Sequence, residues 1–297
     1  MFAYLQYLFI RGAGFLIRLL PEEMALWLGR QLGRIAYLLD WEHRKVAIEN
    51  LRIAFAREKS EQEIHAIAKK TFQNLGMMAM EFLRLPKMDA QRFMKDLEIE
   101  GVENFEKVRN NEKGVLFLLS HFGNWELMGL LTQGLGSRVM VIAKPIKNKW
   151  VDRMITELRG TSGIELVTSA KAGRKIIRAL SEKRMVGILV DQRAKRSEGV
   201  MVDFFGKMAP TTPALAVLGM RTGAPVLPLF LFRKEKAKYR LVIKDPLELV
   251  DTGDVKKDVA TNTERITHSL EMMVRQYPDQ YFWVHRRWER KRSGRRH

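Results

Sequence analysis

The sequence predicts an α/β fold: a mostly parallel central sheet flanked by helices, preceded by a helical, membrane-associated amino-terminal arm. Three observations carry this reading. From about residue 96 onward, short apolar runs alternate with helical stretches, the pattern of successive strand–helix–strand units. Before that point the periodicity is helical throughout. The first forty residues combine many large apolar side chains with only four arginines and three acids.

Residues 1–20, MFAYLQYLFIRGAGFLIRLL, approach the length of a membrane span, but Arg11 and Arg18 interrupt the run. Those arginines are about two helical turns apart and share a face with Tyr4, whereas Phe2, Leu5, Phe9 and Leu16 line another. The pattern suits a helix lying in the membrane interface, or a tilted span with snorkelling arginines. The plainer alternative is an amphipathic helix packed on its own domain. A signal peptide is not expected, since no basic residue precedes the run and no small-residue cleavage site follows. Pro21 opens a second apolar helix through Leu39, with Trp27, Tyr37 and Trp41 suited to the interfacial level.

Residues 42–95 continue in helices, and Ser60 with Glu63 is spaced as a capping box. Met77, Met78 and Met80 fit either core packing or a face toward an apolar ligand. Strands are predicted at Val115–Leu119, Val139–Ile142, Glu165–Val167, Val186–Val190, Val226–Phe232 and Tyr239–Ile243, with helices near 124–133, 149–160, 170–182 and 213–222. The last helix has Thr212 to cap it, Pro213 at its first position and Gly223 at its end. No internal repeat or Pro/Gly/Ser linker appears. The expected organisation is an arm over 1–41 and a catalytic domain over 42–297, helical over 42–95 and α/β over 96–297.

The 297 residues carry 52 Lys and Arg against 34 Asp and Glu, a formal charge of +18, which points to an anionic partner: nucleic acid, a membrane surface or an acidic protein. Six arginines and one lysine fall in residues 285–297, a basic tail suited to surface or substrate contact. At 46% hydrophobic the chain is too apolar for disorder. The absence of cysteine excludes disulfides, Cys-ligated zinc, iron–sulfur clusters and a thiol nucleophile.

The segment that carries chemistry is SHFGNWE, Ser120 to Glu126, directly after the strand VLFLL. His121 is placed at a strand's carboxyl end, with Glu126 on the first turn of the next helix. A neutral imidazole can take a proton from a hydroxyl, and a carboxylate on its other nitrogen fixes the tautomer and stabilises the imidazolium. Gly123 permits the tight turn and Asn124 is suited to cap the helix. No G-x-S-x-G elbow, P-loop, G-x-G-x-x-G or H-E-x-x-H is present, and the histidines lack metal-ligand spacing. Neither a metal nor a cofactor is therefore expected. A base without a protein nucleophile fits direct transfer of an activated group onto a hydroxyl.

His121-x4-Glu126 resembles the HxxxxD/E box of the glycerolipid-type acyltransferases, and SHFGNWE resembles the late acyltransferases of lipid A biosynthesis, the lauroyl/myristoyl transferases. VIAKPIKNKWVDRMITELRGTSG is similar to a second block of that family, with Lys144, Pro145, Asn148, Asp152 and Arg159 at matching positions. VGILVDQ, ending in Asp191 and Gln192, is similar to a third, and the segment from Phe204-Phe205-Gly206 to Pro228 to a fourth. YFWVHRRWERK resembles the closing segment. The resemblance spans nearly the whole chain. It implies a fatty acyl chain carried by acyl carrier protein, a glycolipid acceptor, an anionic membrane surface, and a place at the cytoplasmic face of the inner membrane. It further implies His121 as general base with Glu126 as its partner. Arg159 is then the candidate for the oxyanion or a substrate phosphate, held by Asp191 in a bidentate pair or serving only in a structural bridge. Asn124 is a lesser oxyanion candidate beside its capping use, and Lys144 a substrate-binding one. Phe204, Phe205 and Met208 are candidates for an acyl groove or for core. The glutamate in place of aspartate favours a saccharide-linked acceptor, a lipid A precursor or another glycolipid such as a mannoside. Two other readings are a hydrolase using the same pair and a basic binding protein; no recognised nucleic-acid module accompanies the charge, so nucleic acid is not the expected partner.

Overall fold

The computed structural model describes residues 2–134, 138–168, 172–234 and 238–288. The basic run beyond Trp288 lies outside the described residues. Five helices come first: α1 (Phe2–Leu19), α2 (Glu22–Leu39), α3 (Trp41–Phe55), α4 (Glu61–Arg84) and α5 (Ala90–Asp96). Their starts follow from side-chain chemistry. Asp40 accepts the His43 N–H at 3.1 Å to cap α3. The box at α4 closes in both directions, with the Glu63 N–H on Ser60 Oγ at 3.3 Å and the Ser60 N–H on Glu63 Oε2 at 2.8 Å. Helices α2 and α4 touch backbone to backbone: a Cβ at Gly33 would stand 2.3 Å from the Phe72 carbonyl oxygen, so only glycine fits there. Met77 and Met80 are buried, which settles them as packing residues.

Helix α1 is turned contrary to the plainer expectation. Arg18 turns inward, its Nε donating to the Leu83 carbonyl at 2.8 Å, and the Tyr4 ring meets Trp150 edge-on at 5.1 Å, while Arg11 stays exposed beside Tyr7. The helix face bearing Phe2, Leu5, Phe9 and Leu16 is exposed, with Phe9 at 77%. In α2 the small residues Ala25, Gly29 and Gly33 are buried, while Trp27 and Leu38 face outward, as does Trp41 at the start of α3. A helix packed on its own domain by its apolar side would show the reverse. Among the described residues no helix is long and apolar enough to cross a membrane.

The remaining elements are β1 (Glu98–Glu100), α6 (Val102–Glu106), β2 (Val115–Leu119), α7 (Met128–Gly134), β3 (Val139–Ala143), α8 (Lys149–Gly160), β4 (Glu165–Thr168), α9 (Ala172–Ser181), β5 (Met185–Leu189), β6 (Val200–Phe204), β7 (Lys207–Thr211), α10 (Ala214–Thr222), β8 (Val226–Arg233), β9 (Tyr239–Ile243) and α11 (Val255–Gln276). Seven strands form one sheet in the order β1-β9-β8-β2-β5-β3-β4, with β8 and β9 antiparallel and every other pair parallel. The predicted α/β class and mostly parallel sheet are therefore observed. Side chains alternate across it: Leu116 and Leu118 enter one apolar core, Phe117 and Leu119 the other. Strand β1 escapes the apolar-run criterion because it reads Glu-Ile-Glu and is exposed along its length. Pro213 caps α10 instead of opening it, and Gly223 ends that helix at φ +66°.

The hairpin β6–β7 corrects the groove expectation. Its turn is Phe205-Gly206, at φ +57° and +72°, a geometry that favours Asn-Gly. Phe205 is held there because its ring is buried against Phe55 and Trp283 while its N–H donates to Glu271 Oε2 at 2.7 Å. Phe204 is fully buried and stacks on Trp288, whereas Met208 is exposed. The first residues of the expected basic tail are likewise folded in. Arg287 is buried, donating to the Pro210 carbonyl at 2.9 Å and to Thr211 Oγ1 at 2.5 Å.

Candidate active site

Strands β2 and β5 are parallel neighbours, with Leu119 level with Leu189. Two residues beyond that register stand His121 and Asp191, and the sheet thereby brings them together at its carboxyl edge, where α/β sites form. His121 Nδ1–H donates to Asp191 Oδ1 at 2.9 Å, and the same oxygen accepts the His121 backbone N–H at 3.1 Å. Asp191 is 3% exposed. Burial pushes its carboxyl up, but the His121 charge and hydrogen bonds outweigh this and hold it below the usual carboxylate range. With Nδ1 protonated, Nε2 carries the lone pair. It faces a large cavity, with the Gln192 amide nitrogen 3.3 Å away.

The expected pairing is thus exchanged. Glu126 does not hold the imidazole: it lies in the turn before α7, which starts later than predicted, at Met128. From there its carboxylate reaches the last turn of α8 and takes Arg159 in a fork, Nε on Oε2 at 2.9 Å and Nη2 on Oε1 at 2.7 Å. Asp191, expected on Arg159, is on His121. Burial works against the Arg159 charge, yet the hydrogen bond and charge of Glu126 leave it more strongly basic than usual. The two pairs communicate through Trp125, whose ring meets His121 edge-on at 4.9 Å while its Nε1–H donates to Glu126 Oε1 at 3.1 Å.

The turn itself is rigidly supported. Gly123 sits at φ +59°, and a Cβ there would stand 1.8 Å from the Leu231 carbonyl oxygen. The Gly123 N–H donates to the Gln280 carbonyl at 2.8 Å, and the Phe282 N–H to the His121 carbonyl at 3.0 Å. Asn124 is buried and fully engaged: Oδ1 accepts the Leu127 N–H at 3.4 Å, and Nδ2 donates to Glu81 Oε2 at 2.6 Å. It closes the turn before α7 and does not cap the helix, which starts only at Met128; no amide hydrogen is left for an oxyanion, since the Tyr239 hydroxyl lies 3.2 Å from the same nitrogen. Glu81 also pairs with Arg233 and accepts the Tyr239 hydroxyl at 2.7 Å, a buried network beneath the turn. Burial disfavours the Arg233 charge, but Glu81 outweighs it and raises its basicity.

The cavity measures about 1020 Å³ and is lined by His121, Glu126, Arg159, Lys144 and Gln192 together with apolar side chains such as Phe117, Leu119, Met128, Leu131, Val139 and Leu229. Lys144 is exposed at its rim. None of Phe204, Phe205 and Met208 lines it; the apolar lining comes instead from the sheet and from helices that include α6, α7, α9 and α10. Among the described residues no cluster of three or more His, Asp or Glu could hold a metal ion. The arrangement offers a base, a cation fixed by a carboxylate, and a cavity of about 1020 Å³ whose lining is largely apolar.

Sequence reasoning missed Glu81, Arg233 and Tyr239, and it named Gln192 as part of the third block without giving it a role. The placement of His121 and Asp191 near strand ends had a readable signal, since the apolar runs VLFLL and VGILV stop just before them; that the two strands are neighbours had none. The family model for bacterial lipid A biosynthesis acyltransferases matches residues 1–290. The lipid A biosynthesis palmitoleoyltransferase of Escherichia coli (strain K12) is 27% identical over 277 residues, 93% of this chain and 88% of that protein. The lauroyltransferase of the same organism is 27% identical over 289 residues, 95% of this chain and 91% of that one. A phosphatidylinositol mannoside acyltransferase of Mycolicibacterium smegmatis is 24% identical over 281 residues, 92% and 88% of the two chains.

Proposed function

The chain belongs to the family of bacterial lipid A biosynthesis acyltransferases, and from that premise we propose that it moves a fatty acyl chain from acyl carrier protein to a hydroxyl of a lipid A precursor or related glycolipid, with His121 as general base. As a member of the family it is an enzyme that transfers acyl groups to lipid A or a glycolipid. The observation that carries the mechanism is the His121–Asp191 pair opening onto the cavity.

The acceptor hydroxyl displaces Gln192 from Nε2, gives its proton there and attacks the thioester carbonyl. A C–O bond forms, the C–S bond breaks, and the proton passes from the imidazolium to the leaving thiolate. No covalent acyl-enzyme is required. The oxyanion of the tetrahedral intermediate needs fixed donors, each worth ~2.7–4 kcal/mol. Arg159 supplies them: Glu126 takes Nε and one hydrogen of Nη2, leaving Nη1 for the oxyanion or an acceptor phosphate. Lys144 at the rim assists with anionic groups.

Membrane association rests on α1 and α2, whose large apolar side chains face outward. The protein then sits on the cytoplasmic face of the inner membrane, lying in the interface. α1 also packs on α8, the helix that presents Arg159, through Tyr4, Tyr7 and Trp150. This places the arm beside the cavity.

The test offers purified protein a panel of acyl carrier proteins loaded with different chains, and the corresponding acyl-coenzyme A donors, with a lipid A precursor or a phosphatidylinositol mannoside as acceptor. Mass spectrometry should show one added acyl group from the carrier-protein donor. Addition only from coenzyme A, or release of free acid without acceptor product, would contradict the proposal.

A further inference from the structure

The cavity is not confined to one side of the sheet. Phe117, Leu119 and Leu241 line it from the core beneath β1 and β9, while Ile176, Ile188 and Leu218 line it from the opposite core. Strand alternation makes this unambiguous: Ile188 and Leu189 are successive residues of β5, pointing to opposite faces, and both border the cavity. It therefore wraps over the carboxyl edge of the sheet, where His121 and Gln192 stand, and has a lobe on each face. Its volume of about 1020 Å³ lies at the top of the ~300–1,000 Å³ range in which single ligands sit.

The lobes differ in character. The first is walled by buried side chains, among them Phe117, Leu131 and Val139. The second is an open groove between α9 and α10, which contact each other. Its floor is apolar, with Ile176, Ile177 and Leu218, and Val217 at its lip is 40% exposed. Each helix also contributes one exposed arginine to the lining, Arg174 from α9 and Arg221 from α10. Among the described residues neither guanidinium has an ion-pair or hydrogen-bond partner. An apolar floor flanked by free cations complements a hydrocarbon chain ending in an anionic headgroup.

We infer that the enzyme holds two hydrocarbon chains at once: the donor's acyl chain in the closed lobe, and a chain already borne by an anionic acceptor in the α9–α10 groove, its headgroup between Arg174 and Arg221. The inference rests on the acyl-transfer reading for its assignment of the lobes. The two chains approach from opposite faces of the sheet and meet at its edge, which sets the donor carbonyl and the acceptor hydroxyl on either side of His121.

Native mass spectrometry of the full chain with decyl phosphate, below its micellar range, counts bound chains directly. Two are expected in the wild type and one in Val217→Trp, which fills the exposed lip of the groove without disturbing buried packing. Arg174→Gln should weaken the second binding event by about tenfold while the first is unchanged. In turnover assays both variants should raise KM for the glycolipid acceptor and leave KM for the acyl donor as it is. A single chain in the wild type, or two chains still bound to Val217→Trp, would overturn the inference. Loss of the second chain with no change in acceptor KM would overturn the assignment to the acceptor and make the occupant a membrane phospholipid. Two-chain binding by a protein that transfers no acyl group would leave the groove standing and remove the acyl-transfer reading instead.

Discussion

Replacing Asp191 by Asn separates the two carboxylates more sharply than any other change. Asp191 is almost completely buried and accepts two hydrogen bonds from His121, one from the backbone and one from Nδ1. Asparagine keeps the shape but removes the charge that stabilises the imidazolium, and a hydrogen bond to a charged group is worth ~1.5–3 kcal/mol. Its amide can also donate to Nδ1, which moves the proton to Nε2 and leaves no lone pair for the acceptor hydroxyl. The same tautomer reversal in a serine protease triad lowers kcat ~10⁴-fold. Here a loss of about 10³–10⁴ is expected, roughly 4–5.5 kcal/mol of transition-state stabilisation. The assay is single-turnover acyl transfer at saturating donor and acceptor, with unfolding curves to confirm that the variant is native. Glu126→Gln should cost less, about 10²–10³, because it loosens the Arg159 clamp without touching the base. A loss below tenfold in Asp191→Asn, together with a larger one in Glu126→Gln, would refute the pairing and return Glu126 to the imidazole.

Three further outcomes follow from other parts of the molecule. Glu81→Ala strips a buried arginine of its partner and should destabilise the protein by about 3–5 kcal/mol in urea unfolding. Burial pushes His285 down to about 4 from an ordinary 6.5, so the unfolded chain binds more protons between those values and stability falls as pH drops through that window. Because the ring is only partly buried, the loss should be about 1–2 kcal/mol, and His285→Gln should flatten the pH dependence of the urea midpoint there. Replacing the exposed Phe2 and Phe9 by Ser should weaken partition onto anionic vesicles by about tenfold or more per side chain with no change in thermal unfolding. Unchanged partition at high salt would remove α1 from the membrane contact.

The parallel strands were legible because fully buried strands read as continuous apolar runs: VLFLL, the run around Val186–Leu189, and the seven residues from Val226 to Phe232. The site's members were legible for a different reason. His121 and Asp191 lie just past a strand, Arg159 falls in the last turn of α8 and Glu126 just before α7, where the periodicity breaks at a polar residue. Which carboxylate meets which base was not legible. That depends on strand order, and β5 lies beside β2 only after the chain has passed through β3 and β4. The neighbour five residues along the chain was therefore preferred over one seventy residues away. Glu81 was illegible as well, since an acidic residue on an amphipathic helix looks solvated until Arg233 and Tyr239 converge on it. Phe204 and Phe205 show the limit of composition: aromatic side chains suit an acyl groove and a core equally, and only the hairpin's packing on α11 decides between them.

The central claim is that an imidazole, and no enzyme nucleophile, activates the acceptor. It is tested most directly by following product mass with loaded acyl carrier protein and a glycolipid acceptor in the wild type and in His121→Ala, with both proteins matched in unfolding behaviour. The wild type should add one acyl group and hold none covalently at any time, and His121→Ala should form no product. Near-wild-type product from His121→Ala, or an acyl group covalently held on the protein during turnover, would contradict it.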